Sequence, residues 1–209
     1  MVFVAALFLG FQRPDPDSVI KALVGHYRKL KSYSAKVVHN GDFLADSRES
    51  TDTLSWLAPT RFELINDHES IPTLKCNGKL VATFIPHVVP ISESLMNETG
   101  RMATWEPRGG FVLSLLMHGL LADQLLHPSR PIKVKYSYGS DLKWHDLPVS
   151  QITANLTAPG LQEEISYYLT PDCKQVVGLE LKSGDRVAWT QYKDVVENLD
   201  LPKTLGEIK

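Results

Sequence analysis

The sequence holds little of what marks an enzyme, a nucleic-acid binder or a membrane-spanning chain. Cysteine occurs only at Cys76 and Cys173 among 209 residues. An exported chain permits the two to pair, two free buried thiols are the alternative, and spacing does not choose between them. No block of one charge stands out: Lys and Arg number 22 against 24 Asp and Glu, a net charge of −2. The chain therefore lacks the basic stripe that nucleic acid requires and the polybasic cluster of an electrostatic membrane anchor. No apolar run approaches about 18 residues, so no mature transmembrane helix is expected. The seven histidines, His26, His39, His68, His87, His118, His127 and His145, never fall in HExxH or another tight ligand spacing. Each is expected at the surface or in a turn, with no metal bound. GxSxG, the P-loop and GxGxxG are missing. Glu163 and Glu164 are adjacent and face opposite sides of a strand. Asp141, His145 and Asp146 gather near Trp144 without a nucleophile motif. No repeat of about 20–50 residues is visible. These absences shift the reading toward a non-enzymatic protein that binds or carries, without a cofactor.

What is present is ordinary globular material, 43% hydrophobic and 22% charged, long enough for one domain of good size. Val2 to Phe11 is an apolar run of the length of a signal-peptide core. It lacks a basic leader and an A-x-A site, and the polar, proline-rich "RPDPD" follows it. Residues 1–13 are therefore read as a truncated secretory signal and 14–209 as a single domain; a buried N-terminal strand or helix is the alternative. No cysteine follows the run, so a lipoprotein attachment site is not expected there.

A first helix is expected from Asp17 or Ser18 as N-cap, just after Pro16, to about Ser32. Val19, Ile20, Leu23, Val24, Tyr27 and Leu30 keep the 3.6-residue period on one face, and Arg28, Lys29 and Lys31 suit its C-terminal dipole. Short strands follow, separated by the turn signals "HNGD" and Asn77-Gly78. The segment "FVLSLLMHGLLADQLL" is apolar on nearly all sides and reads as one or two helices, with Gly119 as a break. Strands then return to the C-terminus, with "TPDCKQ" and "KSGD" between the last three. The order predicts an α+β fold: a large curled antiparallel sheet, a half-barrel of about 10–11 strands, with helices covering its concave face.

Four stretches resemble the LolA/LolB superfamily of periplasmic lipoprotein carriers, which also includes RseB-type sensors. "YRKLKSYSAKVV" is similar to the family's junction from first helix to first strand. "SWLAPTRFEL" resembles its P-x-x-F strand, through Pro59, Arg61 and Phe62. "LKCNGKLVATFIP" resembles its dGk hairpin, with Asn77 for the common Asp, then Gly78, Lys79 and Pro86. "GLELKSGDRVAWTQYKDVVENLDLP" resembles the closing strands, with Asn198 as the late Asn. Two departures mark a divergent member. Ala58 stands where carriers have an Arg that latches the lid, and the closing F-x-x-x-P is missing.

The resemblance implies a periplasmic, monomeric carrier that holds acyl chains of lipoproteins or other lipids, with an inner-membrane donor complex as a further partner. Trp56, Phe62, Leu64 and Phe84 are expected to line its cavity, with Phe111, Leu115, Leu116 and Leu120 on the helical lid. The same side chains are also compatible with a dry core and no cavity, and an RseB-like sensor or protein-interaction module is the alternative function.

Overall fold

The computed structural model describes residues 13–41, 49–67, 73–78, 80–82, 88–90, 110–116, 133–140, 142–158 and 161–208. Helix α1 is Pro16–Tyr27 and α2 is Gly110–Leu116. The strands of the main sheet are β1 Ser32–Gly41, β2 Ser50–Leu57, β3 Arg61–Asn66, β4 Leu74–Asn77, β5 Leu80–Ala82, β6 Val88–Pro90, β7 Lys133–Tyr138, β10 Ser150–Ala158, β11 Leu161–Leu169, β12 Val176–Ser183 and β13 Arg186–Glu197. A small hairpin, β8 Lys143–Trp144 and β9 Leu147–Pro148, stands apart.

Eleven strands form one antiparallel sheet in the order β6-β5-β4-β3-β2-β1-β13-β12-β11-β10-β7. The last strand inserts beside the first, and β1 pairs with both β2 and β13. The edges β6 and β7 do not pair with each other, so the sheet is open. Its curl follows from the core. Cys76 of β4 and Ile152 of β10 belong to one buried cluster, although seven ladder steps separate their strands. Helices α1 and α2 join the two ends in that cluster, and twist accumulated over eleven strands curls the sheet around them. The α+β half-barrel expected from the order of elements is therefore the fold observed.

Helix α1 begins differently from the expectation. Asp15, not Asp17 or Ser18, is the N-cap, and its carboxylate accepts from the Ser18 backbone N–H at 3.2 Å. Pro16 is the first helical residue, where its fixed φ fits and its missing N–H costs nothing. The helix stops at Tyr27, with Arg28 as C-cap, so Arg28, Lys29 and Lys31 lie beyond it and His26 is the base of the last turn. The junction that follows is clasped by the late asparagine. Asn198, at φ 54°, accepts from the Lys31 N–H through Oδ1 at 2.8 Å and donates its own N–H to the Ser32 carbonyl at 2.9 Å. Asparagine tolerates this left-handed backbone better than most residues. Arg13, inside the expected signal segment, places its guanidinium over the Tyr138 ring at 5.3 Å; residues 1–12 lie outside the described residues.

The first three residues of "HNGD" are strand and not turn, and Asp42 lies outside the described residues. His39, Asn40 and Gly41 continue β1, where His39 opposes Ser50 of β2 and Thr190 of β13. Asn-Gly is a strong hairpin signal only when the flanking register closes on it; here pairing with β13 carries the strand through Asn40 to Gly41. Asn77-Gly78 does fall between β4 and β5, with Gly78 at φ 91°.

On the convex side, the β8–β9 hairpin folds back onto the sheet. Trp144 stacks on Tyr168, with centroids 4.5 Å apart and planes 10° from parallel. Gly178 lies beneath it, and a Cβ there would collide with the Trp144 ring and approach the Thr190 carbonyl oxygen to 2.7 Å. This hairpin contains His145 at φ 45° and Asp146 at φ 64°. Asp141 lies outside the described residues.

Candidate functional site

The concave face is built by simple alternation. In β1, Tyr33, Ala35 and Val37 point inward; in β2, Leu54 and Trp56 do; in β3, Phe62 and Leu64 do. Trp56 and Phe62 oppose each other across β2 and β3, and both are fully buried. The two aromatics of "SWLAPTRFELI" therefore form one cross-strand pair in the concave wall. Tyr192 of β13, beside Val37, continues the wall, and farther along the sheet Ile152, Tyr167 and Leu169 complete it.

Both helices among the described residues cover this wall. Helix α1 buries Val19, Ile20, Leu23, Val24 and Tyr27. Its C-terminal end is tied down by His26, whose Nε2 lies 3.0 Å from Glu197 Oε1, and Gln175 donates to the same oxygen at 3.1 Å. Helix α2 buries Phe111, Val112, Leu113, Leu115 and Leu116. Phe111 packs on Tyr167 at 5.0 Å between centroids, and the Val112 N–H donates to Tyr192 Oη at 3.4 Å. Six of the eight expected lining residues, Trp56, Phe62, Leu64, Phe111, Leu115 and Leu116, thus meet in one cluster. Phe84 and Leu120 lie outside the described residues, as do Gly109, Met117 and Gly119.

The wall carries more polar atoms than the expected lining had. Burial pushes the hydroxyls of Tyr27, Tyr33, Tyr167 and Tyr192 well above the ordinary tyrosine range, and burial raises Tyr136 to about 12. Tyr27 Oη accepts from the Val176 N–H at 3.1 Å. The indole Nε1 of Trp56 and the hydroxyl of Tyr167 are buried without a hydrogen-bond partner.

A polar row also crosses the buried face. His39 is 2% exposed and Asp52 0%. His39 Nε2 lies 2.9 Å from Asp52 Oδ2, and Asn66 Nδ2 donates to Asp52 Oδ1 at 2.9 Å and to Ser50 Oγ at 2.9 Å. The expectation of a surface or turn histidine fails for His39, because β1 runs on through it and alternation turns it inward. Strand alternation from Val37 was the signal that could have found it.

Neither cysteine is in a disulfide. Cys76 is buried, its thiol raised by that burial, and it donates to the Thr60 carbonyl at 2.9 Å; Cys173 is half-buried. Ala58 donates its backbone N–H to the Lys31 carbonyl at 2.9 Å and offers no side chain to hold a lid. Among the described residues, no three His, Cys, Asp or Glu side chains gather to hold a metal ion. None of their helices is long and apolar enough to cross a membrane.

No protein-family model matches the sequence, and no characterised protein matches it in sequence. Solved structures match it in fold. The lipoprotein LppX of Mycobacterium tuberculosis superposes with a TM-score of 0.51 at 12% identity, over 91% of this chain and 99% of that one. LprF of Mycobacterium bovis gives 0.46 at 8%, over 90% and 95%. The MucA/MucB complex of Pseudomonas aeruginosa gives 0.41 at 10%, over 90% of this chain and 59% of the other. At these identities the likeness is one of fold, and the LppX match carries it: the chain has the LolA-like fold that its motifs imply.

Proposed function

We propose that this protein is a periplasmic, monomeric carrier that binds the acyl chains of lipids or lipoproteins on the concave face of its half-barrel, after export directed by residues 1–13. One observation supports the reading above the rest. Trp56 Nε1 and Tyr167 Oη are buried donors without partners in a largely apolar wall. A buried donor left unmade costs about 1–3 kcal/mol, and in a core meant only to be dry such atoms are normally satisfied. An acylated molecule supplies both what an apolar wall takes, methylenes, and what such donors lack, ester or amide carbonyl oxygens. Helix α2 is the element that yields to it, being short and apolar, with the Val112 N–H donating to Tyr192 Oη over a long 3.4 Å.

Native mass spectrometry of protein purified from membrane-containing lysate, with a fluorescent fatty-acid titration, tests this. Co-purified lipid and micromolar probe binding are expected; neither being found would overturn it. Cell fractionation of the full chain tests the location.

A protein-interaction role without lipid carriage is the alternative, and the convex side favours it. Beside the β8–β9 hairpin lies a cleft of about 650 Å³, lined by His145, Asp146, Leu147, Gln175, Gln191 and Lys193 among others. A specific protein captured by lipid-free material and lost on Leu147→Asp would support that reading.

A further inference from the structure

The carrier reading leaves the buried row of His39, Asp52 and Asn66 unexplained. A wall for hydrocarbon has no use for a carboxylate and an imidazole, and burying both is costly unless every lone pair and proton is matched. Asp52 is matched, by His39 and Asn66. His39 is not: its Nδ1 is buried and has no hydrogen-bond partner. The carboxylate 2.9 Å from Nε2 fixes the proton on that nitrogen, which in the neutral ring leaves Nδ1 as a bare acceptor. The row shares its strands with the apolar wall. His39 is two residues on from Val37 along β1, and Asp52, Leu54 and Trp56 are alternate residues of β2, so Asp52 and Trp56 stand ~13 Å apart at about 3.3 Å per residue.

We infer that this row is a headgroup subsite, and that it selects an uncharged head able to donate a hydrogen bond, a hydroxyl or an amide N–H. The inference rests on the acyl-binding reading and adds the polar end of the ligand to it. The sign of the electrostatics decides the class. Nδ1 of the neutral ring accepts, and the Asp52 carboxylate directly behind it is an anion. A phosphate or carboxylate head would need the ring protonated and would still leave excess negative charge buried beside Asp52. A hydroxyl needs neither: it donates to Nδ1, with no change in the charge of the site.

Three probes of one chain length separate these possibilities: dodecanol, dodecyl methyl ether and dodecyl phosphate. The ether keeps the chain and the oxygen and removes only the donor. Each is titrated by competition with a bound fluorescent fatty-acid analogue on the full chain. Dodecanol is expected to bind about tenfold more tightly than the ether, the scale of one hydrogen bond to an otherwise unpaired buried acceptor, with the phosphate weakest. In the double variant His39→Leu/Asp52→Leu, which removes both partners together and so leaves no lone buried charge, alcohol and ether should bind equally while ether affinity is retained. Equal binding of alcohol and ether by the natural protein would overturn the subsite and leave acyl binding standing. Tightest binding by the phosphate would overturn the uncharged-head assignment. Binding of none of the three, nor of the fluorescent analogue, would overturn the carrier reading and this inference with it.

Discussion

If α2 is a lid that competes with ligand for the concave wall, trimming it and trimming the wall must have opposite effects on binding. Leu116 of α2 and Phe62 of β3 are both fully buried in the same cluster. Leu116→Ala should destabilise the fold by about 2–5 kcal/mol and Phe62→Ala by about 3–5 kcal/mol, the usual range for emptied core positions. Stability alone does not tell lid from wall. Affinity does. A ligand that must displace α2 binds with an affinity reduced by the fraction of time the lid is open. Removing about 2 kcal/mol from the closed state raises apparent affinity by up to about thirtyfold. Removing Phe62 takes contacts from the ligand as well as from the lid, and affinity should fall. The assay is a fluorescent fatty-acid titration of both variants beside urea unfolding curves. Leu116→Ala binding no more tightly than the natural protein, while its unfolding midpoint drops, would refute the idea that α2 gives way. Hydrogen exchange at 110–116 supplies the direct readout, since loss of protection there should precede loss elsewhere.

Other consequences are structural. Gly178→Ala should push the Trp144 hairpin off the convex face and cost about 1–3 kcal/mol as an overpacked site, seen as loss of near-ultraviolet circular dichroism from the Trp144–Tyr168 stack, with probe binding retained because the concave wall is on the other side. Asn198→Ala should cost about 1–2 kcal/mol, losing the bond to Lys31 and the polar side chain that lets asparagine tolerate φ 54°; thermal unfolding checks it, and Asn198→Gly should recover the backbone part. Stability should also fall in alkali. Tyr27, Tyr33, Tyr136, Tyr167 and Tyr192 all have folded-state hydroxyls raised by burial, Tyr136 to about 12. The unfolded chain loses these protons from about pH 10, where the folded chain still holds them, so each favours unfolding as pH rises past that point. Tyrosinate absorbance should therefore appear together with unfolding rather than before it; gradual ionisation of the folded protein would show that the wall is open to water.

Most of the fold was legible because it rests on periodicities that the residues state outright. The alternation in "RFELIN" and the 3.6-residue stripe of α1 place their side chains on the buried face where expected. The junction "LKSYSA" and the late Asn198 meet in one clasp, which explains why two stretches so far apart share a resemblance. Local signals failed where pairing on both sides of a strand outweighed them. "HNGD" has turn chemistry, yet β13 and β2 hold His39 in the sheet, and β13 alone holds Asn40 and Gly41. That one misplaced turn hid His39, and with it the Asp52 and Asn66 network. The α1 start failed by two or three residues because Pro16 looked like a boundary and is the first residue of the helix. The tyrosines of the wall were hidden for another reason: β1 and β13 become neighbours only in the sheet, which brings Tyr33 and Tyr192 onto the same wall.

If α2 is a lid over an acyl site, its energetics suit exchange with the ligand without an external source of work. The side chains that α2 buries, Phe111, Val112, Leu113, Leu115 and Leu116, represent roughly 7–15 kcal/mol of apolar transfer at about 1.5–3 kcal/mol each, as an upper bound. An acyl chain of about 16 carbons represents about 12 kcal/mol on the same scale. The two are near balance, so whichever occupies the wall displaces the other at a small net cost. A latch would tip that balance toward the closed state by about 1.5–3 kcal/mol if it were a charge-assisted bond, and Ala58 cannot supply one. The bond from Val112 to Tyr192 is neutral and, at 3.4 Å, weak. With no catch from Ala58, closure of such a lid would rest on fit, and occupancy would follow the concentration and chain length of the ligand. In such a protein, release needs only a surface that offers the acyl chain a comparable apolar environment.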